Sequence, residues 1–320
     1  MSSAELSLWA RIDGLDRDAV QNALWKRRTL VKVWAMRGTL HLLPSKELGL
    51  WLSALATYTN RGMTGHPDID ELSDAVGRVL EGRSLTREEL AEAVEQSTGN
   101  PLLGAHVRSS WGSYLKPACF RGRLCFAPSD DGRARFTTPA TLLRHEIDQP
   151  DPTDALREVA RRFLAAYGPA TLADLALWGG FGTARTRRML GSLGKAIVEV
   201  DVEGERMWAL ARDVRDLAGA RAVDTARLLP AFDPWVVGAS RTSPAFIAPR
   251  HKTRVYRPQG WFSPVLLVNG RMAGVWKHTR KGRRLLVQLE PFGRLPVWAR
   301  EELEGDARRL ADFYDCELVM

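Results

Sequence analysis

Five lysines and arginines lie within eight residues near the end of the chain. They are Lys277, Arg280, Lys281, Arg283 and Arg284, and Lys281-Gly282 marks the turn of a predicted β-hairpin. Like charges at such short spacing repel one another, and a bound polyanion would offset that repulsion. A mobile, solvated loop is the alternative interpretation, and we favour contact with DNA phosphates.

A second group of candidate DNA contacts lies early in the chain. Arg37, Thr39 and His41 alternate along a predicted hairpin, so we expect their side chains to share one face of a strand. They could contact a phosphate or an extruded base. A structured turn around a hydrogen-bonded histidine is an equally good interpretation, and both stay open at this point.

A third group consists of Arg185, Arg187 and Arg188, which lie on a predicted helix. This helix is the third of a unit with helix-turn-helix character, and in that geometry the third helix approaches the DNA groove. Exposed arginines without a ligand are common on helices, so the preference for phosphate contact over a solvated face is slight.

The sequence contains no familiar catalytic or metal-binding signature. Gly-Lys-Ser/Thr phosphate loops, His-Glu-x-x-His and Gly-x-Ser-x-Gly are absent, and no histidine pair has metal-ligand spacing. We therefore expect no cofactor and no metal. Tryptophans at helical or strand spacing beside Leu and Val are more typical of a core. Of the 11 tryptophans, Trp261, beside Gly260 and an exposed-looking Gln259, is the one candidate for stacking on a base.

The distribution of charge points to a polyanionic partner. The net charge is +8, and between Asp224 and Arg294 there are 13 lysines and arginines but three acidic residues. Positive charge concentrated in one region is typical of nucleic-acid binding. The alternative is a solvated basic surface that binds no partner and only aids solubility. No apolar run could span a membrane, and the start of the chain does not resemble a signal peptide. Three cysteines without Cys-x-x-Cys spacing suit a reducing, cytoplasmic environment.

Apolar periodicity predicts three units built on one plan, helices followed by a β-hairpin, as in a winged helix. We place these units at residues 1–60, 61–148 and 149–212. In the third, Thr171 and Asp174 predict a helix N-terminus. The second has a predicted third helix over about 106–119. The helices and strands that we expect span 153–167, 172–178, 183–193, 196–202 and 206–210 in the third unit, and 72–80, 87–96, 123–127 and 134–137 in the second.

The first unit lacks the first of its three helices. Helices over 4–12 and 17–28 and strands over 30–35 and 39–43 would then leave Leu6, Trp9 and Leu24 without a wall to pack against. A further helix over 45–59 leads out of this unit. From the missing helix we infer that the native protein starts upstream of Met1, or that the chain is a shortened relative.

Residues 224–320 are predicted to form a small β-barrel-like domain, which makes the whole chain an α+β protein. Asn269-Gly270 has the composition of a type I′ hairpin turn. A helix over about 296–314 and a short strand over 316–319 close the domain. Strands are expected at residues 235–237, 254–256, 264–268, 274–277 and 285–289.

Three phrases carry a family resemblance. They are Trp-Ala-Met-Arg-Gly-Thr-Leu-His-Leu at 34–42, Leu-Leu-Pro-Ala-Phe-Asp at 228–233 and Val-Asn-Gly-Arg-Met-Ala-Gly-Val-Trp at 268–276. Together and in this order they resemble the winged-helix DNA-binding family that includes the AlkZ and YcaQ-like bacterial DNA glycosylases. The resemblance implies tandem winged helices and a C-terminal β-barrel around a DNA-binding surface, and removal of alkylated or crosslinked bases from DNA. We expect double-stranded DNA as the partner and a monomeric protein.

The resemblance also implies a catalytic Gln-x-Gln or Gln-x-Asp motif in the first winged helix, ahead of the segment that begins here. No Gln-x-Gln occurs, and Gln149-Pro150-Asp151 lies in a proline-rich linker, so we interpret that match as coincidence. No catalytic residue can be named. A glycosylase whose motif is encoded upstream and a non-catalytic or regulatory winged-helix DNA binder remain alternatives.

Overall fold

The chain is a mixed α+β protein. A computed structural model describes residues 3–58, 68–109, 112–239 and 243–320. These residues form two compact units. The central unit is Gln21–Asp213, and the terminal unit consists of the residues up to Val20 together with Val214–Met320. The α-helices of the described residues are α1 (Ser3–Trp9), α2 (Ala19–Gln21), α3 (Leu48–Ala56), α4 (Asp68–Leu80), α5 (Arg87–Thr98), α6 (Pro101–Arg108), α7 (Lys116–Phe120), α8 (Pro139–Leu143), α9 (Pro152–Tyr167), α10 (Leu172–Gly179), α11 (Thr183–Gly191), α12 (Val214–Ala218), α13 (Pro234–Gly238), α14 (Lys252–Val255) and α15 (Val297–Phe313).

The strands pair mainly in hairpins. They are β1 (Leu30–Trp34), β2 (Leu40–Pro44), β3 (Leu85–Thr86), β4 (Cys125–Ala127), β5 (Arg135–Thr137), β6 (Ile197–Val202), β7 (Glu205–Leu210), β8 (Ala226–Leu229), β9 (Val265–Val268), β10 (Arg271–Lys281), β11 (Arg284–Pro291) and β12 (Glu317–Val319). The central unit holds the hairpin β1-β2, the three-stranded sheet β3-β5-β4 and the hairpin β6-β7. Ala170, just before α10, bridges Trp208 of β7 in the manner of a third strand.

Side-chain caps set the beginnings of the helices in the central unit. Thr86 and Glu89 form a reciprocal capping box at α5, and Thr171 and Asp174 form the same arrangement at α10. The predicted start of α10 is therefore confirmed. One continuous hydrophobic core runs through this unit and includes the fully buried Phe136.

The predicted helix over about 106–119 is wrong, because two helices, α6 and α7, occupy this region. The side chain of Asn100 caps α6 and Pro101 occupies its first turn, so α6 begins earlier than the apolar pattern suggests. Gly112 has a φ of +62°, which a continuing helix does not allow.

The terminal unit is built on an open five-stranded sheet in the order β12-β11-β10-β9-β8, with β8 and β12 at its edges. Neighbouring strands are antiparallel except β11 and β12, which are parallel. On one face α15 packs through Leu303 and Leu310. Asp306 of α15 accepts a hydrogen bond from the Leu228 backbone N–H at 2.9 Å, so the helix is also tied to the edge strand β8.

Two of the expected strands in this unit are wrong. Residues 235–237 belong to α13 and residues 254–255 to α14. At α13 the Asp233 carboxylate accepts the Trp235 backbone N–H and Pro234 occupies the first turn, and these local signals outweigh the β-branched composition. The turn at Asn269-Gly270 is confirmed, since both residues have positive φ.

The expectation that Leu6 and Trp9 lack a wall is wrong. Both side chains of α1 are buried in the terminal unit, in the same cluster as Leu303 and Leu310 of α15. Arg309 of α15 also donates to the Trp9 backbone carbonyl at 3.3 Å and lies over the Trp9 ring. Sequence proximity had assigned α1 to the wrong unit. Within the described residues, no helix combines the length and apolarity that a membrane crossing requires.

Candidate nucleic-acid interface

The basic cluster of the terminal unit lies on the hairpin β10-β11. Lys281 pairs with Arg284 across a two-residue turn of Gly282 and Arg283, as the sequence predicted. Lys277, Thr279 and Lys281 alternate along β10, so their side chains point to the same face of the sheet, and all three are exposed. The sheet thus presents lysines on a face opposite to the one that α15 covers.

Acidic residues accompany several of these cations, which the sequence analysis did not foresee. The distance from Lys277 to Glu290 is 3.3 Å, from Arg283 to Asp315 is 3.7 Å and from Arg284 to Glu317 is 3.6 Å. Like-charge repulsion in the hairpin is therefore partly offset within the protein, and the hairpin does not depend on a bound anion to offset it. Arg280 donates to the Gly282 carbonyl at 3.2 Å, and no ion pair of Lys281 is found among the described residues.

His278 lies on the opposite face of β10 from the lysines. Its ring stacks on Trp276, with centroids 5.4 Å apart, and is 5.7 Å from the ring of Tyr314. Burial lowers the pKa of His278, so it stays neutral at physiological pH. The histidine therefore adds packing to the hairpin and no charge.

The first group of predicted contacts surrounds the hairpin β1-β2, but its members do not share one strand face. Arg37 lies in a 3₁₀ turn, Met36–Gly38, between the strands, and has a φ of 60°. Thr39 precedes β2 and His41 lies within it. The alternation assumed a continuous strand, and the turn interrupts it.

Arg37 is held firmly by neighbouring groups of the central unit. Its guanidinium donates to the backbone carbonyl of Trp178 at the end of α10, and its backbone N–H donates to the Tyr58 hydroxyl at 3.3 Å. The turn after α10 comes so close that a Cβ on Gly180 would lie 3.1 Å from both Arg37 and Tyr58. Arg37 therefore fixes the hairpin β1-β2 against α10. The local sequence around Arg37 did not reveal this structural role.

His41 is neutral in the folded protein. Burial lowers its pKa from 6.5 to about 4, and the nearby Arg37 acts in the same direction. The carbonyl of Thr39 lies 2.9 Å from Nδ1, which fixes the ring orientation. His41 can thus serve as a hydrogen-bonding group at neutral pH and does not contribute positive charge.

The arginines of α11 differ in exposure. Arg187 and Arg188 are exposed, and Arg185 is half-buried. Burial and the neighbouring charge of Arg188 lower the pKa of Arg185, and the Tyr58 phenol acts in the opposite direction. The side chain of Arg185 therefore lies near the same tyrosine that binds Arg37, so the structure brings the first and third groups of predicted contacts together within the central unit.

Gln149-Pro150-Asp151 plays a structural part. Asp151 caps α9 by accepting the backbone N–H groups of Thr153 and Asp154. The carbonyl of Pro150 accepts the Ser53 hydroxyl at 2.6 Å. The interpretation of this Gln-x-Asp sequence as a coincidence stays a prediction.

The central unit also contains an open groove of about 740 Å³ between α4 and α8. Arginines 78, 123 and 144 line it together with Asp74, Glu81 and Glu146, so its charge is balanced and gives no preference for a polyanion. Within the described ranges, no group of three or more His, Cys, Asp or Glu side chains could hold a metal ion.

Two features of the terminal unit escaped the sequence analysis. Asp233 is fully buried and accepts two hydrogen bonds from the Arg11 guanidinium, at 2.7 and 2.8 Å. The residue before it, Phe232, is 38% exposed and contacts the ring of Trp261, which is 56% exposed. Phe232 and Asp233 belong to the phrase Leu-Leu-Pro-Ala-Phe-Asp that carries the family resemblance. Their partners, Trp261 and Arg11, lie far away in the sequence and could not be inferred from it.

Comparison with known proteins decides the family. Residues 1–313 match the AlkZ-like DNA glycosylase family. The chain belongs to this family. An AlkZ-like relative from Streptomyces sahachiroi, described as an interstrand DNA cross-link repair glycosylase, is 34% identical over 314 residues, which cover 94% of this chain and 84% of the relative.

A solved structure extends the AlkZ-like assignment to the fold. The chain is similar to Streptomyces sahachiroi DNA glycosylase AlkZ with a TM-score of 0.85 and 33% sequence identity, over 99% of this chain and 89% of that one. The family resemblance inferred from three short phrases is therefore confirmed.

Proposed function

We propose that this AlkZ-like protein removes alkylated or crosslinked bases from double-stranded DNA as a monomer. The observation that carries the proposal is the similarity to an interstrand DNA cross-link repair glycosylase over nearly the whole chain. In such a reaction water adds to the anomeric carbon of the sugar, the bond from that carbon to the base breaks, and a free base and an abasic site result. The damaged nucleotide must first leave the base stack.

We also propose that the central unit consists of winged helices. In its middle part the order is α4, β3, α5, α6-α7 and the hairpin β4-β5, with β3 paired to β5. The last part repeats this order with α9, the Ala170 bridge, α10, α11 and the hairpin β6-β7. The hairpin β1-β2 and the short helices ahead of it would form the first, incomplete unit, which the sequence places at residues 1–60, although α1 packs in the terminal unit. Units at 61–148 and 149–212 and a barrel-like domain at 224–320 would follow.

Two surfaces support DNA binding in this proposal. In the terminal unit the hairpin β10-β11 would contact phosphates through Lys277, Arg280, Lys281, Arg283 and Arg284. In the central unit Arg187 and Arg188 of α11 would do the same, because α11 takes the place of the recognition helix of a winged helix. Arg37, Thr39, His41 and Arg185 would lie beside that helix and position the hairpin β1-β2.

The proposal is tested by a base-release assay on duplex DNA that carries one N7-methylguanine. We expect an abasic site to accumulate, which alkaline cleavage of a labelled strand detects, whereas the undamaged duplex stays intact. Affinity for both duplexes should fall steeply as salt rises, because several phosphates are neutralised.

A matched pair of variants tests the DNA-binding surface, and base release separates the two candidate functions. Lys281→Ala removes one exposed charge from the hairpin, and Arg308→Ala removes one from α15, on the face of the sheet that the hairpin lysines do not share. Weaker binding by the first variant alone supports the DNA surface. Because no catalytic residue is assigned among the described residues, a non-catalytic DNA-binding protein is the second candidate. Tight, salt-dependent binding without base release would favour it.

A further inference from the structure

The terminal unit displays two aromatic rings that contact each other at its surface. Phe232 is 38% exposed and Trp261 is 56% exposed, and their ring centroids are 5.1 Å apart. They are the two aromatic rings among the most exposed large apolar side chains of the described residues. Two exposed rings that meet by chance would be unusual, because large apolar side chains are normally scattered singly over a surface.

Both rings are held in place by their backbones. Phe232 has a φ of 58°, a left-handed conformation that bulky residues rarely adopt. The next residue, Asp233, is fully buried and paired with Arg11, so the backbone of Phe232 cannot relax. Strain of this kind persists where the surroundings enforce it and is concentrated at ligand-binding sites.

Trp261 is fixed by a tight turn on a neighbouring segment. Its carbonyl accepts the Arg257 backbone N–H at 2.8 Å, and Gln259 and Gly260 in between have positive φ. Tyr256 bridges Phe262 at the base of this turn. The turn thus holds the indole out from the unit on a short, closed loop of backbone.

The inner side of the pair rests on the core. The Phe232 ring contacts Phe262 at 5.7 Å, and Phe262 contacts Tyr256 edge-on at 5.8 Å. Phe262 is 8% exposed and belongs to the cluster that includes Val265 and Met272. The exposed rings therefore continue inward through the buried Phe262 and the half-buried Tyr256, which makes the pair rigid.

We propose that Phe232 and Trp261 form a stacking platform for an unpaired nucleobase. This proposal rests on the proposed function, and it names the part of the DNA that the terminal unit would recognise besides its phosphates. Rigid aromatic rings are the usual platform for unstacked bases, and stacking tolerates any base because every base has a π face. Removal of a base from a duplex necessarily leaves at least one base without its partner.

The size and the charge of the surface favour a base over a protein. The exposed parts of the two rings amount to about 200 Å², since aromatic side chains offer about 150–250 Å² each. A stable protein interface needs about 800 Å² on each partner. The exposed Arg257 lies at the start of the same turn as Trp261, which suits a polyanion. The Arg11 side chain is 43% exposed, but its charge is already paired with Asp233.

The test uses the full chain and two duplexes that carry one 2-aminopurine. In one duplex the 2-aminopurine faces thymine, and in the other it faces an abasic analogue and is unpaired. We expect the wild type to prefer the unpaired duplex, and its 2-aminopurine fluorescence to change on binding. Trp261→Ala should reduce this preference by roughly 5- to 150-fold, the range that stacking on one ring produces. Affinity for the paired duplex should stay within about twofold, because phosphate contacts persist.

Control variants keep the outcome clear. Phe232→Asn removes the second ring with a residue that tolerates the left-handed backbone, and Trp261→Tyr should restore most of the preference. Val297→Ala, at a side chain that is 75% exposed in the same unit, should change nothing. Thermal unfolding of each variant shows whether the fold is retained.

Three results would overturn the stacking role. Wild-type preference in both Trp261→Ala and Phe232→Asn would mean that the rings do not meet the base. A change in oligomeric state by light scattering, with DNA affinity unaltered, would assign the pair to a protein contact. A wild type that binds neither duplex would overturn the proposed function as well, which separates that failure from failure of the platform alone.

Discussion

Removing two acidic side chains should tighten DNA binding. Asp315 and Glu317 lie 3.7 and 3.6 Å from Arg283 and Arg284 of the basic hairpin. If these arginines contact phosphates, the carboxylates compete with DNA for them. The double variant Asp315→Asn with Glu317→Gln removes the competition and keeps the shape, and asparagine suits the positive φ of residue 315.

The expected gain follows from the distances and the exposure. A charge pair at this separation is worth about 1 kcal/mol in bulk water. Measured values for exposed pairs are lower, about 0.2–1 kcal/mol, and all four side chains here are at least 73% exposed. With about 0.5 kcal/mol for each pair, the double variant should bind duplex DNA about fivefold more tightly at low salt. The gain should shrink as salt screens the charges.

Fluorescence anisotropy of a labelled 20-base-pair duplex, titrated at low and at high salt, measures this change. Glu304→Gln is the matched control, because Glu304 pairs with Arg308 at 3.7 Å on α15. The reasoning fails if the double variant binds no more tightly than the wild type at low salt. It also fails if Glu304→Gln, which removes one charge where the double variant removes two, gives half the free-energy gain or more, since the effect would then reflect net charge alone.

Three further results are expected. Gly49→Ala should lower the free energy of unfolding by about 2 kcal/mol or more, because its Cβ would lie 1.9 Å from the Asp148 carbonyl oxygen, whereas Gly191→Ala, with open space around it, should be neutral or stabilising in urea titrations. The pKa of His41 is lowered to about 4, so the unfolded chain gains a proton near pH 6.5 that the folded chain does not. Stability should fall from pH 6.5 toward 4, and His41→Gln should reduce this slope in urea titrations at several pH values. In the native protein a thiol reagent should modify Cys316 and leave the two buried cysteines unreacted.

Features that depend on neighbouring residues could be predicted from the sequence. The capping hydroxyl and acid of α10, the Asn269-Gly270 turn and the hairpin around Lys281-Gly282 each need a few consecutive residues. Their geometry follows from local hydrogen bonds and allowed backbone angles, which composition determines directly. The same reasoning failed at α13, where Asp233 and Pro234 started a helix in a β-branched run.

Features that depend on distant partners could not be predicted. Arg11 and Asp233 are 222 residues apart, and a single sequence contains nothing that pairs them. The carboxylates beside Arg283 and Arg284 come from the turn before β12 and from β12 itself, so the cation count alone overstated the positive potential of the hairpin. Likewise, Arg37 was identified as a candidate contact, but its bond to the Trp178 carbonyl depends on how α10 packs.

The placement of α1 has a consequence for synthesis on the ribosome. Trp9 contacts Arg309, a residue 300 positions further on. At about 5–20 residues per second, translation takes roughly 15–60 s to cover that interval. During this time the central unit can fold, while Leu6 and Trp9 stay exposed to chaperones. The terminal unit can therefore fold completely only when α15 has left the exit tunnel. In a nascent chain that stops before α15, the apolar side chains of α1 have no partner helix to bury them.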